Sequence, residues 1–135
     1  MYIFKSIIKP SRYNIVRRGI KSISVNGYTE TIYQKQDHSM DDYLSVLNNQ
    51  QVAVLGYGPQ GRSQSLNLRD NNVNTIIGSR KGASWDLALK DGWVENETLF
   101  SLDEASYRGN IIQYLLSDSA QMTNWKMLKK NLHEN

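Results

Sequence analysis

The stretch VAVLGYGPQGRSQSLNLRD, Val52–Asp70, constrains the fold more than any other part of the chain. An apolar run, a glycine-rich turn and a long stretch without a breaker predict strand, turn and helix in that order. The turn Gly56-Tyr57-Gly58-Pro59-Gln60-Gly61 fits the pattern G-x-G-x-x-G. In such a turn the first glycine permits a tight bend out of the strand. The second lets a pyrophosphate approach the backbone, and the third lets the helix pack closely on the sheet. The phosphates then lie at the positive end of the helix dipole. The plainer alternative is a strand–helix turn with surplus glycines, and the pattern's place between strand and helix favours dinucleotide binding. Pro59 suits the first turn of a helix, where a backbone N–H has no intrahelical acceptor. Its cost is one donor lost to the phosphates, about 1 kcal/mol.

The remaining residues supply the elements around this unit. Ser24–Asp37 has turn and extended character. Ser39 opens a helix through a capping box with Asp42, and Met40, Tyr43, Leu44 and Leu47 follow at helical spacing. Gln51–Leu55 is the first core strand, Gln60–Asn71 a helix and Val73–Ile77 the second strand. Ser84 is expected to cap a helix to about Asp91, stopped by Gly92. Trp93–Phe100 holds a short strand and loop, and Ser101-Leu102-Asp103-Glu104 is a full S-x-x-E box starting a helix that ends near Gly109. Asn110–Leu116 reads as a buried strand. Ala120–Leu132 reads as a closing helix with Met122, Trp125, Leu128 and Leu132 at helical spacing. Strands alternating with helices predict an α/β fold: a Rossmann-like parallel sheet with helices on both faces.

The end of the second strand selects the cofactor. A reader of NAD places Asp or Glu about 20 residues past the glycines, to hold the ribose 2′-OH. This chain has Ser79-Arg80-Lys81-Gly82-Ala83-Ser84 there. Two cations and two hydroxyls suit a 2′-phosphate, which an arginine grips with paired donors. The alternative is a solvated basic turn; with the glycine turn upstream, the cofactor expected is NADP(H).

Charge separates the first residues from the rest. Residues 1–29 carry Lys5, Lys9, Arg12, Arg17, Arg18 and Lys21 and no acid, while the remainder holds 10 basic and 13 acidic residues. Ile3, Phe4, Ile7 and Ile8 can share one helical face. An acid-free, arginine-bearing, amphipathic start predicts a mitochondrial transit peptide over residues 1–25 and mitochondrial localisation. The alternative is a basic arm that touches nucleic acid or anionic lipid. The acidic balance of residues 30–135 and the lack of a base-stacking array argue against a nucleic-acid partner. No apolar run reaches the roughly 20 residues of a spanning helix, so no membrane partner is expected. The chain has no cysteine and two distant histidines, His38 and His133, so no thiolate metal site is expected.

From about Asp37 onward the chain resembles the N-terminal domain of ketol-acid reductoisomerase (acetohydroxy-acid isomeroreductase), and most of all its fungal mitochondrial branch. The resemblance rests on "GYGPQG", "NLRD", "GASW" and "LLSDSAQ" in this order. It implies an NADPH-dependent oxidoreductase of branched-chain (isoleucine and valine) amino-acid biosynthesis. Such an enzyme performs a magnesium-dependent alkyl migration on a 2-acetohydroxy acid and reduces the product to a 2,3-dihydroxy acid. It also implies a cofactor site at Gly56, Tyr57, Gly58, Pro59, Gln60, Gly61, Arg80, Ser84 and the loop Asp118, Ser119, Ala120, Gln121. Pro59 stands where the family usually has serine, and the Arg80–Ser84 loop is one residue shorter than in its relatives. The family's catalytic histidine strand and the helical C-terminal domain that holds two Mg²⁺ ions have no counterpart here. Residues 26–135 are therefore expected to be a partial N-terminal Rossmann domain, incomplete at its C-terminal end. No catalytic residue and no metal ligand is assigned. The substrate and the family's main oligomer interface require the missing part, and the chain alone is expected to be inactive. The alternative is a non-catalytic paralogue that binds NADP(H) or a partner.

Overall fold

A computed structural model of the chain describes residues 2–4, 21–32, 34 and 37–132. It divides into two compact units, Lys9–Asn48 and a larger one made of Met1–Ile8 with Asn49–Asn135. Strands and helices are numbered in chain order, β1 being Tyr2–Phe4 of the larger unit.

In the smaller unit β2 (Lys21–Val25) and β3 (Tyr28–Ile32) form an antiparallel hairpin. Asn26 and Gly27 turn it, with φ of 50° and 84°. Positive φ at both central residues gives a turn whose twist matches that of the strands. Helix α1 (Met40–Leu47) starts at the expected capping box: Ser39 Oγ accepts from the Asp42 N–H at 3.2 Å, and the Ser39 N–H donates to Asp42 Oδ2 at 2.8 Å. The apolar spacing of this helix does not translate into burial, and none of its residues is buried.

The larger unit contains the strands β4 (Val52–Leu55), β5 (Thr75–Gly78), β6 (Leu99–Phe100) and β7 (Ile111–Tyr114). Between and after them run the helices α2 (Pro59–Asp70), α3 (Ala83–Lys90), α4 (Leu102–Arg108) and α5 (Asp118–Asn131). The sheet order is β1-β7-β4-β5-β6. The last four strands are parallel, with Val52 opposite Thr75 on one side and Ile111 on the other. Alternation of side chains along the strands divides the core into two layers. Ala53, Leu55, Ile76, Ile112 and Tyr114 pack with Leu102 and Ala105 of α4 and Leu128 of α5. On the opposite face α2 comes so close that a methyl group added at Gly61 would lie 3.7 Å from Val54 Cγ1. Helices thus cover both faces of a parallel sheet, as the alternation of elements predicts.

Several local expectations need correction. Tyr2–Phe4 is a strand that pairs antiparallel with β7, Phe4 opposite Ile111, rather than part of an amphipathic helix. The unpaired edge of β7 offers a ladder of hydrogen bonds that a helix could not use. Ile7 and Ile8, on the same expected helical face, lie outside the described residues, as does His133. Gly82, not Ser84, is the N-cap of α3, at φ 128°, so Ser84 is the second residue of the helix, with its hydroxyl free of capping duty. The box at Ser101 is half formed: Ser101 Oγ accepts from the Glu104 N–H, while the Glu104 carboxylate accepts from Arg108 Nε at 2.6 Å. A charged partner one turn ahead outcompetes the neutral N–H of the cap. Asp118–Gln121 is the first turn of α5 rather than a loop. Of the apolar positions on α5 only Leu128 is buried; Met122 is 81% exposed and Trp125 42% exposed.

Candidate functional site

The chain runs β4, β5, β6 outward in one direction and then returns to place β7 on the other side of β4. Reversal of strand order opens a crevice beyond the C-terminal ends of the two strands, because the loops leaving them diverge. A cleft of about 340 Å³ lies there. Its walls come from three turns: Gly56, Tyr57 and Gly58 after β4, Ser79 to Ser84 after β5, and Leu115, Leu116, Ser117 and Ala120 after β7.

The glycine turn is shaped by close approaches. Gly56 has φ 105°, and an added Cβ would lie 2.7 Å from the Leu115 carbonyl oxygen. A Cβ on Gly61 would collide with the Gly56 carbonyl oxygen. The third glycine therefore has the packing role that its spacing predicts. Helix α2 begins at the cap Gly58, which has no side chain to occupy the first-turn donors, and Pro59 is its first residue. The N–H groups of Gln60 and Gly61 have no acceptor within the helix, and no acid lies in the first turn. Such an end is suited to an anion.

The side chain of Tyr57 anchors the turn through a hydrogen-bonded network. Its hydroxyl donates to Asp91 Oδ2 at 2.8 Å and accepts from Trp93 Nε1 at 2.7 Å. Asp91 also accepts two bonds from Arg62, Nε to Oδ2 at 2.6 Å and Nη2 to Oδ1 at 2.9 Å. Arg69 closes the group, donating to the Asp91 carbonyl at 2.7 Å with its guanidinium 4.9 Å from the Trp93 ring centroid. The Arg62 and Tyr57 donors pull the Asp91 carboxyl down to about 2. Burial, aided by Asp91, pushes the Tyr57 phenol up to about 12. The side chain of Tyr57 is thus committed to holding the turn, and its backbone is the part left for a ligand.

Across the cleft, Arg80 and Ser84 are exposed, and neither side chain makes a hydrogen bond or ion pair among the described residues. Lys81 differs: it pairs with Glu95, and its Nζ sits 3.8 Å from the Trp85 ring centroid.

Of the residues expected at the site, Gly56, Tyr57, Gly58, Arg80, Ser84 and Ala120 line the cleft. Pro59, Gln60, Gly61, Asp118, Ser119 and Gln121 do not. Gln60 and Gly61 bear on it through the helix end just described. Gln121 serves the turn itself: its Nε2 donates to the Leu116 carbonyl at 2.8 Å, and its own carbonyl accepts from the Tyr114 hydroxyl at 2.8 Å. Leu115, Leu116 and Ser117 join the lining without being expected site residues; the signal for them is their place directly after the strand that returns beside β4.

Known proteins share this sequence and fold. The acetohydroxy acid isomeroreductase, NADPH-binding domain family matches residues 46–135. Mitochondrial ketol-acid reductoisomerase of Neurospora crassa is 41% identical over 129 residues, 95% of this chain and 32% of that protein. The Saccharomyces cerevisiae mitochondrial ketol-acid reductoisomerase is 46% identical over 116 residues, 85% of this chain and 29% of that protein. Among solved structures, an NADH-preferring ketol-acid reductoisomerase from an uncultured archaeon superposes with a TM-score of 0.63 at 28% identity, covering 73% of this chain and 29% of that one. The chain spans about a third of the length of these relatives.

Proposed function

Since the chain belongs to the acetohydroxy acid isomeroreductase family, through that family's NADPH-binding domain, we propose that its cleft seats NADP(H) and that it supplies the cofactor-binding part of a ketol-acid reductoisomerase. The observation that carries this reading is the uncapped start of α2 at the mouth of the cleft, facing the unpaired Arg80 and Ser84. The pyrophosphate is held by the Gln60 and Gly61 N–H groups. Arg80 grips the 2′-phosphate with its fork of donors, and Ser84 adds a hydroxyl. Ser117 and Ala120 border the remaining part of the cofactor, with Asp118, Ser119 and Gln121 setting the turn from which they project.

Bound NADPH would supply the hydride for reduction of a ketone. In a whole enzyme of this family the substrate is a 2-acetohydroxy acid, rearranged with the help of Mg²⁺ and reduced to a 2,3-dihydroxy acid. Among the described residues no three His, Asp or Glu side chains gather as metal ligands, so no step on these residues is assigned to Mg²⁺. The acid-free residues 1–29 and the mitochondrial relatives in two fungi support a mitochondrial location.

Titration of the full chain with NADPH and with NADH, followed by calorimetry, tests the assignment. NADPH is expected to bind more tightly. Absence of binding by both nucleotides would refute it.

A further inference from the structure

The loop after β5 carries two cations, Arg80 and Lys81, and the structure treats them differently. Arg80 has no partner among the described residues. Lys81 is paired with Glu95 and lies over the buried ring of Trp85, 3.8 Å from its centroid. Glu95 does not line the cleft, but its position is built. It sits in a tight turn before β6, with Asn96 at φ 65°. The Val94 carbonyl accepts from the N–H groups of Glu97, Thr98 and Leu99, at 3.1, 2.9 and 2.9 Å. The Val94 N–H donates to Thr98 Oγ1 at 2.8 Å. Glu95 also forms a parallel bridge with Leu99. The carboxylate is therefore presented to Lys81 by an ordered turn.

We propose that Glu95 is a specificity-determining residue for the nicotinamide cofactor, because it ties up Lys81 and leaves Arg80 as the one uncompensated cation of the loop. This inference rests on the reading of the cleft as an NADP(H) seat. A lysine is a mobile point charge on a long stem, able to reach a phosphate from several directions. Held by a carboxylate on one side and an aromatic face on the other, it contributes less to the doubly charged 2′-phosphate than its sequence position implies. Competition between Glu95 and the 2′-phosphate for one ammonium group then tunes the discrimination between NADPH and NADH that Arg80 begins. Both partners reach solvent, with Lys81 at 65% and Glu95 at 46% side-chain exposure, so their exchange can proceed without disturbing the core.

The experiment is a double-mutant cycle on the full chain, reading the ratio of NADPH to NADH affinity by calorimetry. Glu95→Gln should raise that ratio about threefold to fivefold, the scale of one exposed ion pair. In a Lys81→Met background the same substitution should leave the ratio unchanged, because the effect passes through Lys81. An unchanged ratio in Glu95→Gln, or an equal rise with Lys81 absent, would overturn the role of Glu95 while leaving the cleft's assignment intact. Failure of the unmodified chain to bind either nucleotide would overturn both.

Discussion

Single residues at the cleft divide into those that meet a ligand and those that hold the groups that do. In the proposed NADP(H) seat, Arg80 belongs to the first kind. Arg80→Asp is expected to weaken NADPH by at least tenfold while changing NADH little, because only NADPH carries the 2′-phosphate. Equal losses, measured by titration with the two nucleotides, would detach Arg80 from that phosphate. Pro59 is permissive: it starts α2 without strain and removes one donor from the helix end. Pro59→Ser should tighten NADPH by about 1 kcal/mol, the worth of one recovered hydrogen bond. Asp91 belongs to the second kind, and its role has a pH signature. Its carboxyl is held at about 2 when folded, against an ordinary value of 3.8. Folding is favoured by the ionised form, so this stabilisation is complete above pH ~4 and fades as the pH falls toward about 2. Urea midpoints measured between pH 5 and pH 2 should fall less steeply in Asp91→Asn than in the unmodified chain. The Tyr57 phenol adds the mirror case. Its proton is held more tightly in the fold, so its share is complete below pH 10 and is lost as the pH rises toward about 12.

At the scale of elements, the packing of α2 on β4 depends on the absence of one side chain. Gly61→Ala drives a methyl group into the Gly56 carbonyl and should cost about 1–3 kcal/mol of stability, with a larger proportional loss of nucleotide binding. Thermal unfolding together with titration separates the two losses. This pairing of strand, glycine turn and helix was readable from residues 52–70 alone, because each residue type answers a local demand. The same holds for the hydrogen-bonded start of α1, where Ser39 and Asp42 are three residues apart. Elements decided by distant groups were less readable. Ser84 has the chemistry of a cap, but Gly82 can take the φ of 128° that the bend into α3 requires. Ser101 and Glu104 spell a reciprocal box, but Arg108 draws the carboxylate away. Tyr57 looks like a variable position in a glycine pattern. Its network with Asp91 and Trp93 joins residues more than thirty positions apart, and no short-range spacing reveals it.

For the whole molecule, the strand order decides where the cleft forms, and the sequence shows only that strands and helices alternate. Leu115, Leu116 and Ser117 enter the site because β7 returns beside β4, a nonlocal pairing without a local signature. The described cleft residues all follow Leu55, so a chain reduced to residues 49–135 should bind NADPH within about twofold of the full chain. It should also self-associate more readily, since loss of β1 bares the edge of β7. Light scattering coupled to size exclusion reads that difference. The same pairing has a consequence for synthesis. Tyr2–Phe4 is synthesised roughly a hundred residues before its partner strand. Closing so long a loop comes late, after the local strand–helix units have formed. Until β7 has been made, Tyr2–Phe4 thus remains available to other binders, and its docking on β7 reports that the sheet behind it has been assembled.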